Sequence, residues 1–113
     1  MPSSRRRFRV RWAEVAVRDL EDLVAYLKLD SPVNAERVLD KLEQRATKLE
    51  TSPARGRVVP ELARFGMQTW RELLIEPYRL IYRIEGDTVT VLALFDGRRE
   101  LEDLLLERLV RSP

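Results

Sequence analysis

Three consecutive runs rich in β-branched and aromatic residues give the second half of the chain its clearest pattern. They span residues 70–75, 78–84 and 88–95. Glu76-Pro77 separates the first two runs and Gly86-Asp87 the last two, so each connection is as short as a tight hairpin turn requires. The pattern therefore predicts a meander of three antiparallel strands.

Alternation along the middle strand divides its side chains between the two faces of the predicted sheet. Arg79, Ile81 and Arg83 fall on one face, opposite four apolar or aromatic residues. Arginines in a strand with neighbours on both sides need water, carboxylates or an anionic partner. A solvated face with cross-strand ion pairs and a binding face for an anion both meet that need. The residues predicted to face the helices are Tyr78, Leu80, Tyr82 and Ile84.

Upstream of the meander, a short strand pattern gives way to two helical ones. Apolar and basic residues alternate over residues 8–12, which predicts a strand added to the edge of the sheet. From Ala13 the apolar positions recur at helical spacing, and Ser31-Pro32 supplies an N-cap and a first-turn proline for a second helix. The short connection forces an antiparallel αα-hairpin. The predicted buried stripes are Ala16, Leu20, Leu23, Val24 and Leu27, then Ala35, Val38, Leu39, Leu42, Ala46 and Leu49.

Together these elements predict a single two-layer α+β domain over residues 1–113. The N-terminal strand and the meander form a mostly antiparallel four-stranded sheet, in the order βααβββ, on which the αα-hairpin packs. Residues 54–68 form an irregular excursion with room for a helical turn at 61–65. A short C-terminal helix over residues 100–111 has more leucines than one buried stripe uses, which fits either a dimer contact or a partner protein.

Composition excludes several classes of chemistry. The 113 residues include no cysteine and no histidine, which removes disulfides, thiolate nucleophiles and the commonest general base and metal ligand. We therefore predict no metal and no cofactor. With no apolar run near the ~20 residues that span a bilayer and no apolar leader, the chain is expected to be cytoplasmic and to have no membrane partner.

Positive charge is concentrated at the N-terminus. The net charge of the chain is +2, yet residues 1–11 contain five arginines and no acidic residue. Such an arm, here residues 1–7, is expected to be flexible and solvated; the alternative is that it contacts phosphates. Basic charge alone is therefore weak support for a nucleic-acid partner.

Short motifs run through the chain in this order: Val10-Arg11-Trp12, Ala16, Asp19-Leu20, Ser52-Pro53, Gly56-Arg57-Val58-Val59-Pro60-Glu61-Leu62, Trp70-Arg71-Glu72, Pro77-Tyr78-Arg79-Leu80-Ile81-Tyr82-Arg83 and Gly97-Arg98-Arg99. In this order and spacing the chain resembles the RelE/ParE superfamily of toxins from bacterial type II toxin–antitoxin pairs. The resemblance covers residues 8–101. It implies a toxin held by a cognate antitoxin of the ParD or RelB type, encoded beside it.

The RelE-like branch of the superfamily implies a ribosome-dependent mRNA nuclease with basic residues on the sheet and a tyrosine or histidine near the C-terminus. By position, Arg71, Arg79 and Arg99 would be its catalytic residues here. Leu73 stands where a second basic residue is expected, and neither tyrosine nor histidine follows Arg99. Because arginine stays protonated and is a poor proton carrier, this departure weakens the nuclease interpretation.

The ParE-like branch is the better match, through the motifs at 56–62, 70–72 and 97–99. It implies a toxin that acts by binding rather than by catalysis, with DNA gyrase the usual target; the ribosome and its mRNA stay open as the alternative target. Asp96 stands where the family often has histidine. The predicted target-binding residues are Arg71, Arg79, Arg83, Arg98 and Arg99.

Two of these arginines have an alternative, structural role. Arg71 and Arg79 are each within reach of a carboxylate that would tie neighbouring strands together. Adjacent strands would also bring Arg79 close to Arg98 and Arg99 at one end of the sheet. The glutamates considered as structural partners are Glu72, Glu76 and Glu85.

Apolar residues that fall off the buried stripes mark the expected antitoxin surface. Exposed apolar area on a small monomer usually marks a partner site, and an antitoxin segment that is disordered alone would fold along it. Acidic residues of that segment would reach the arginines. The predicted antitoxin-binding residues are Val15, Val17, Leu29 and Val33 in the hairpin, and Leu105, Leu106 and Val110 in the C-terminal helix.

Overall fold

The computed structural model describes residues 7–97 and Arg108. Within this part of the chain, five strands form one sheet in the order β1-β5-β4-β3-β2. Two 3₁₀ turns, at Lys48–Glu50 and Pro53–Arg55, lie between the second helix and the second strand. The helices and strands are β1 Arg9–Trp12, α1 Glu14–Asp30, α2 Pro32–Thr47, β2 Arg57–Val58, α3 Pro60–Ala63, β3 Trp70–Ile75, β4 Tyr78–Glu85 and β5 Thr88–Asp96.

The sheet has five strands and is mixed, where the sequence predicts four. β1 runs parallel to β5, with Val10 opposite Val89, while the other three pairings are antiparallel. The additional strand is β2, whose Arg57 lies opposite Glu72 of β3. Two residues are too few to show a period of two, so this strand could not be recognised in the sequence. The predicted edge strand at the N-terminus and the antiparallel meander are confirmed.

The αα-hairpin forms as predicted, and a single residue, Ser31, joins its helices. Its Oγ accepts a hydrogen bond of 3.1 Å from the Asn34 N–H, and Pro32 occupies the first turn of α2. Both helices pack their apolar stripes on one face of the sheet. The buried residues of this helix-side core are Ala16, Leu42, Ala46, Leu49, Leu73, Ile75, Leu80, Tyr82, Val89, Val91 and Leu94.

The opposite face of the sheet is partly covered by the connection between α2 and β3. Ile81 of β4 is fully buried beneath it, so the predicted alternation is right but this face is not solvated throughout. A β-bulge beside Ile81 in the β4–β5 pairing places the adjacent residues Leu92 and Ala93 together in this second core. The buried residues of this connection-side core are Val59, Leu62, Trp70, Ile81, Leu92, Ala93 and Phe95.

Both predicted hairpin turns are present. Glu85 pairs with Thr88 across Gly86-Asp87, and the turn at Glu76-Pro77 also has two residues. Gly86 has a φ of 58°, and Asp87 does not have a positive φ. That combination belongs to a type II′ turn, whose first central position favours glycine.

Most of the predicted C-terminal helix lies outside the described residues, as do residues 1–6 of the basic arm. Arg108 is described, and its Nη1 and Nη2 donate to the two carboxylate oxygens of Asp19 on α1 at 3.0 and 3.3 Å. Nη1 also donates to the Leu92 carbonyl at 3.2 Å, and the Leu94 N–H donates to Asp19 at 3.1 Å. The Leu92 carbonyl and the Leu94 N–H lie past the point where β5 pairs with β1. These bonds give both backbone groups a hydrogen-bond partner.

Leu42→Ala is expected to lower the free energy of unfolding by about 2–5 kcal/mol, because this fully buried side chain fills the space between α2 and the sheet. Leu29→Ala is the matched control, since the same chemical change at a position that is 86% exposed should change stability by less than about 0.5 kcal/mol. Urea denaturation followed by far-UV circular dichroism measures both. Equal losses in the two variants would contradict the placement of Leu42 in the core.

Candidate functional site

A buried carboxylate lies on the sheet face that points away from the α1–α2 hairpin. Glu72 of β3 is 1% exposed and contacts two arginines. Arg57 Nε, from β2, lies 2.6 Å from Glu72 Oε2, and Arg79 Nε, from β4, lies 2.5 Å from Glu72 Oε1. Both carboxylate oxygens are therefore paired, which a buried charge requires.

Arg79 extends these contacts to the short helix α3. Its Nη1 and Nη2 donate to Glu61 Oε2 and Oε1 at 2.9 and 3.0 Å, so the guanidinium grips that carboxylate with two bonds. The guanidinium also lies 5.8 Å from the centre of the Phe95 ring, and Gly97 packs against its aliphatic stem. With all three nitrogens engaged, the Arg79 side chain is only 11% exposed. We refer to Arg57, Glu61, Glu72 and Arg79 as the ion-pair cluster.

Glu61 and Arg79 hold each other in their charged forms. Hydrogen bonds from Arg79 keep the pKa of Glu61 below its ordinary value of 4.5, although burial opposes them. Burial would lower the pKa of Arg79, but its hydrogen bonds to Glu61 and Glu72 outweigh burial and raise that pKa above the ordinary value. Neither group exchanges a proton near neutral pH. The Glu61–Arg79 pair is thus a structural tie between the sheet and α3 rather than an acid–base pair.

Tyr82 and Arg71 anchor the start of the same connection. The Gly56 N–H donates to Tyr82 Oη at 3.0 Å, Tyr82 Oη donates to the Pro53 carbonyl at 2.6 Å, and Arg71 Nη1 donates to the Gly56 carbonyl at 2.7 Å. Burial raises the pKa of the Tyr82 phenol, so the hydroxyl remains a donor. A Cβ at position 56 would lie 2.5 Å from the Glu72 carbonyl, which explains why glycine is needed there.

Three of the five predicted target-binding arginines are described, and they lie on the neighbouring strands β3 and β4. Arg79 is engaged in the cluster, as the structural alternative expects. Arg71 contacts backbone carbonyls instead of the glutamates considered for it. Arg98 and Arg99 lie outside the described residues, and their proximity to Arg79 stays a prediction. Gly97, which precedes them, does pack on Arg79.

Arg83 lies in the more open half of this face, with its side chain 35% exposed. Its guanidinium is 5.0 Å from the centre of the Trp70 ring, and its Nε lies 3.1 Å from Glu85 Oε1 without the alignment of a hydrogen bond. Thr90, opposite Arg83 on β5, accepts a hydrogen bond of 3.4 Å from Arg11 of β1. Arginine side chains in this half are accessible to a partner.

The described antitoxin-binding candidates are exposed, but they occupy two separate places. Val15 and Val17 are each 39% exposed at the start of α1, whereas Leu29 and Val33 are 86% and 69% exposed where the two helices join. About 18 Å of helix separates the two places. Tyr26, 72% exposed and one turn before Leu29, belongs with the second place and was not predicted. The other candidates, Leu105, Leu106 and Val110, lie outside the described residues.

Three members of the ion-pair cluster were not predicted as site residues, and of these only Glu72 was considered as a structural partner. Glu61 and Arg57 both belong to the connection that showed no periodic pattern. Pro60 at the start of α3 is a helix-start signal, and an acid in the first helical turn is a common feature. Nothing in the spacing, however, indicates that Glu61 meets Arg79 eighteen positions later.

Two structural absences concern the described residues only. Among them, no group of three or more His, Cys, Asp or Glu side chains is arranged to hold a metal ion. Nor does this part of the chain contain a helix that is long and apolar enough to cross a membrane.

In the Glu61→Gln variant, the free energy of unfolding is expected to fall less steeply as the pH is lowered than it does in the wild type. Because the pKa of Glu61 is lowered on folding, its contribution is complete above its ordinary value of 4.5 and is lost as the pH falls through the folded pKa. The variant should be less stable than the wild type at neutral pH by about 1–2 kcal/mol, and the difference should shrink below pH 4.5.

Chemical denaturation at a series of pH values measures this difference. Glu43→Gln, at an exposed position on α2, is the control and should follow the wild-type profile. A stability difference that stays constant across the acid range would contradict the role given to the Glu61 carboxylate.

Known proteins share this architecture and sequence pattern. A chain of the solved chromosomal ParDE TA system from P. aeruginosa has a TM-score of 0.66 at 19% identity, with 80% of this chain and 97% of that chain covered, a likeness of fold. Y4kP of Sinorhizobium fredii (strain NBRC 101917 / NGR234), named as a candidate toxin, is 31% identical over 101 residues, which cover 88% of this chain and 98% of that protein. Residues 10–101 match the family model described as the ParE toxin of type II toxin-antitoxin system, parDE. The predicted resemblance is confirmed, and the chain belongs to the ParE toxin family of type II toxin–antitoxin systems.

Proposed function

We propose that this toxin acts in the cytoplasm by binding DNA gyrase, and that a ParD-like antitoxin encoded beside it neutralises it. Membership of the ParE family supports a toxin with an antitoxin partner. The choice of gyrase follows from the ParE-like resemblance of the motifs at 56–62, 70–72 and 97–99. The mode of action, binding without a covalent step, follows from the chemistry of the arginines on the sheet.

The ion-pair cluster is the observation that supports binding over RNA cleavage. Cleavage needs one group to activate the 2′-hydroxyl and another to protonate the leaving oxygen. Arg79 is engaged by two carboxylates and Arg71 by backbone carbonyls, and arginine is in any case a poor proton carrier. The chain has no histidine, and the Tyr82 hydroxyl is bonded to the backbone of the connection. Among the described residues, the carboxylates beside Arg79 are engaged in its ion pairs, so the nuclease alternative finds no free proton carrier there.

In this proposal the arginines have two different roles. Arg83, Arg98 and Arg99 contact the target, whereas Arg71 and Arg79 position the segments that present them. Arg79 is suited to that role because it contacts α3 through Glu61 and also packs against Gly97, immediately before Arg98. The cluster thus holds Gly97, the last described residue before Arg98, against the sheet.

Antitoxin binding is supported by the apolar residues exposed on the hairpin. Tyr26, Leu29 and Val33, which we call the hairpin tip, expose most of their side chains close together at the turn between α1 and α2. Exposed apolar side chains that cluster on a small monomer usually mark a partner site, and a stable complex buries ~800 Å² on each partner. A segment that also reached Val15 and Val17 would have to run along α1.

Arg98→Ala with Arg99→Ala is expected to weaken inhibition of gyrase supercoiling about tenfold, because two charged contacts to the target are lost. Thermal unfolding should stay within about two degrees of the wild type if the pair has no structural role. Arg18→Ala, an exposed arginine on α1, is the control and should inhibit as the wild type does. Supercoiling by purified gyrase, with plasmid DNA on agarose gels, is the readout.

Two results would contradict this proposal, the first its target and the second the target-binding role of Arg98 and Arg99. One is wild-type protein that leaves supercoiling untouched while primer extension shows codon-dependent cuts in translated mRNA; this would establish the nuclease alternative. The other is a double variant that loses inhibition only because it unfolds at a much lower temperature.

Leu29→Ser with Val33→Ser is expected to weaken the complex with the adjacently encoded antitoxin roughly a hundredfold, because each lost apolar contact is worth roughly a tenfold change in affinity. Phe65→Ser is the matched control, since Phe65 is 56% exposed but belongs to the connection after α3, away from the hairpin. Isothermal titration calorimetry on the three purified toxins compares them. If the antitoxin bound the double variant and the control with equal affinity, the hairpin tip would not be part of the antitoxin-binding surface.

A further inference from the structure

Charge on α2 is sorted by sign into two rows. Arg37, Lys41 and Arg45 recur every four residues and form a basic row on one side of the helix. An acidic row runs beside it, starting at Glu36 and Asp40. Like charges four residues apart repel slightly along each row, while Arg37 and Asp40, three residues apart, have opposite signs. Arg37 and Lys41 are exposed and make no ion pair within the described part of the chain. Such sorting suits a partner of complementary charge.

The basic row borders a groove of about 350 Å³ between α2 and the turn that joins β3 to β4. Arg37 and Lys41 line one wall, and the apolar part of the lining includes Val38, Ile75 and Pro77. Glu76, on the opposite wall, is the one carboxylate among the described lining residues. The groove therefore combines apolar surface with a predominantly positive rim.

At its far end the basic row meets an open edge of the sheet. β2 pairs with β3 only at Glu72 and Arg71, so the outer side of Leu74 has no described strand beside it. Arg45 Nη2 donates instead to the Leu74 carbonyl at 3.2 Å. A charged side chain placed over an exposed edge in this way discourages unspecific strand pairing.

At its near end the same row begins with an apolar residue. Val33 precedes Arg37 by four positions, so it lies on the same side of α2, and Leu29 lies just across the Ser31 connection. The hairpin tip and the basic groove are therefore one continuous surface, which is apolar at the turn between the helices and positive farther along α2.

We propose that this continuous surface binds an acidic segment of the antitoxin, with an apolar side chain seated at the hairpin tip and carboxylates facing Arg37, Lys41 and Arg45. This inference rests on the proposed antitoxin partner and adds where its apolar anchor and its acidic stretch lie. The continuity with the hairpin tip favours the antitoxin over the target as the occupant, because apolar anchors on the helices and charged contacts beside them then serve one segment.

A second groove on the hairpin has acidic lining residues and disfavours the reverse placement. It lies between α1, β1 and the C-terminal half of α2, where Val17 and Leu20 form part of an apolar lining. Its charged lining residues are Glu43 and Glu50. Carboxylates of an acidic segment would be repelled there. The opposite charges of the two grooves therefore favour binding of that segment on the basic side of α2.

The test compares Arg37→Gln with Lys41→Gln against the matched pair Glu36→Gln with Asp40→Asn. Both double variants remove two charges from exposed positions of α2 and leave the helix propensity almost unchanged. Arg45 is left in place because it is bonded to the Leu74 carbonyl. The probe is the purified protein encoded beside the toxin, and its affinity for each toxin variant is measured by titration calorimetry at low and high salt.

The basic-row variant should bind about tenfold more weakly at low salt and lose most of the salt dependence of the wild-type complex. The acidic-row variant should bind within about twofold of the wild type. Wild-type affinity and salt dependence in the basic-row variant would overturn the inference while leaving the antitoxin proposal intact. Equal weakening by both variants would overturn it too, since the effect would not depend on the sign of the charge. No complex with the wild-type toxin would overturn the antitoxin proposal and this inference together.

Discussion

Glu72 is buried on the sheet face that points away from the α1–α2 hairpin, which we call the outer face. The placement of the surrounding segments depends on the arginines that pair with its carboxylate. Arg57 reaches it from β2 and Arg79 from β4, so a single carboxylate holds three strands together on that face. Removing one partner of a buried ion pair typically destabilises a protein by about 3–5 kcal/mol, because the remaining charge is left unpaired. Arg79 also bonds to Glu61, which attaches α3 to the same cluster.

This constraint explains how a chain of 113 residues supports a core on each side of one sheet. The helices cover one face by ordinary apolar packing. The other face is covered by a connection with a single short α-helix, which cannot bury a continuous apolar stripe. The ion pairs of Glu72 and Glu61 attach the connection on that face, and Tyr82, from the helix side of the sheet, holds its start through two hydrogen bonds. Among the described residues, exposed surface remains on the arginine-bearing half of the sheet face opposite the helices and on the outer side of the helical hairpin.

Much of the architecture could be predicted because local patterns specify it. Alternation placed Leu80 and Tyr82 toward the helices and Arg79 away from them, and the structure agrees. The cap at Ser31-Pro32 and the turn at Gly86-Asp87 are signalled by a few adjacent residues whose backbone preferences are strong. The order of the short motifs was likewise enough to identify the family, since these motifs extend over most of the chain. Leu29 and Val33 were predictable as exposed because they fall off a helical stripe.

The sequence by itself thus determined the order and buried faces of the periodic elements and the family, because each depends on periodicity or on short motifs. Only the tertiary structure decided that β2 exists, that Glu61 and Arg57 join Arg79 around Glu72, and that Arg71 bonds to the backbone. These contacts join an aperiodic connection to strands many positions away, and a charged residue in such a segment has many partners of the right sign within reach. Folding selects among them by geometry, since a buried carboxylate is stable only where every oxygen finds a donor.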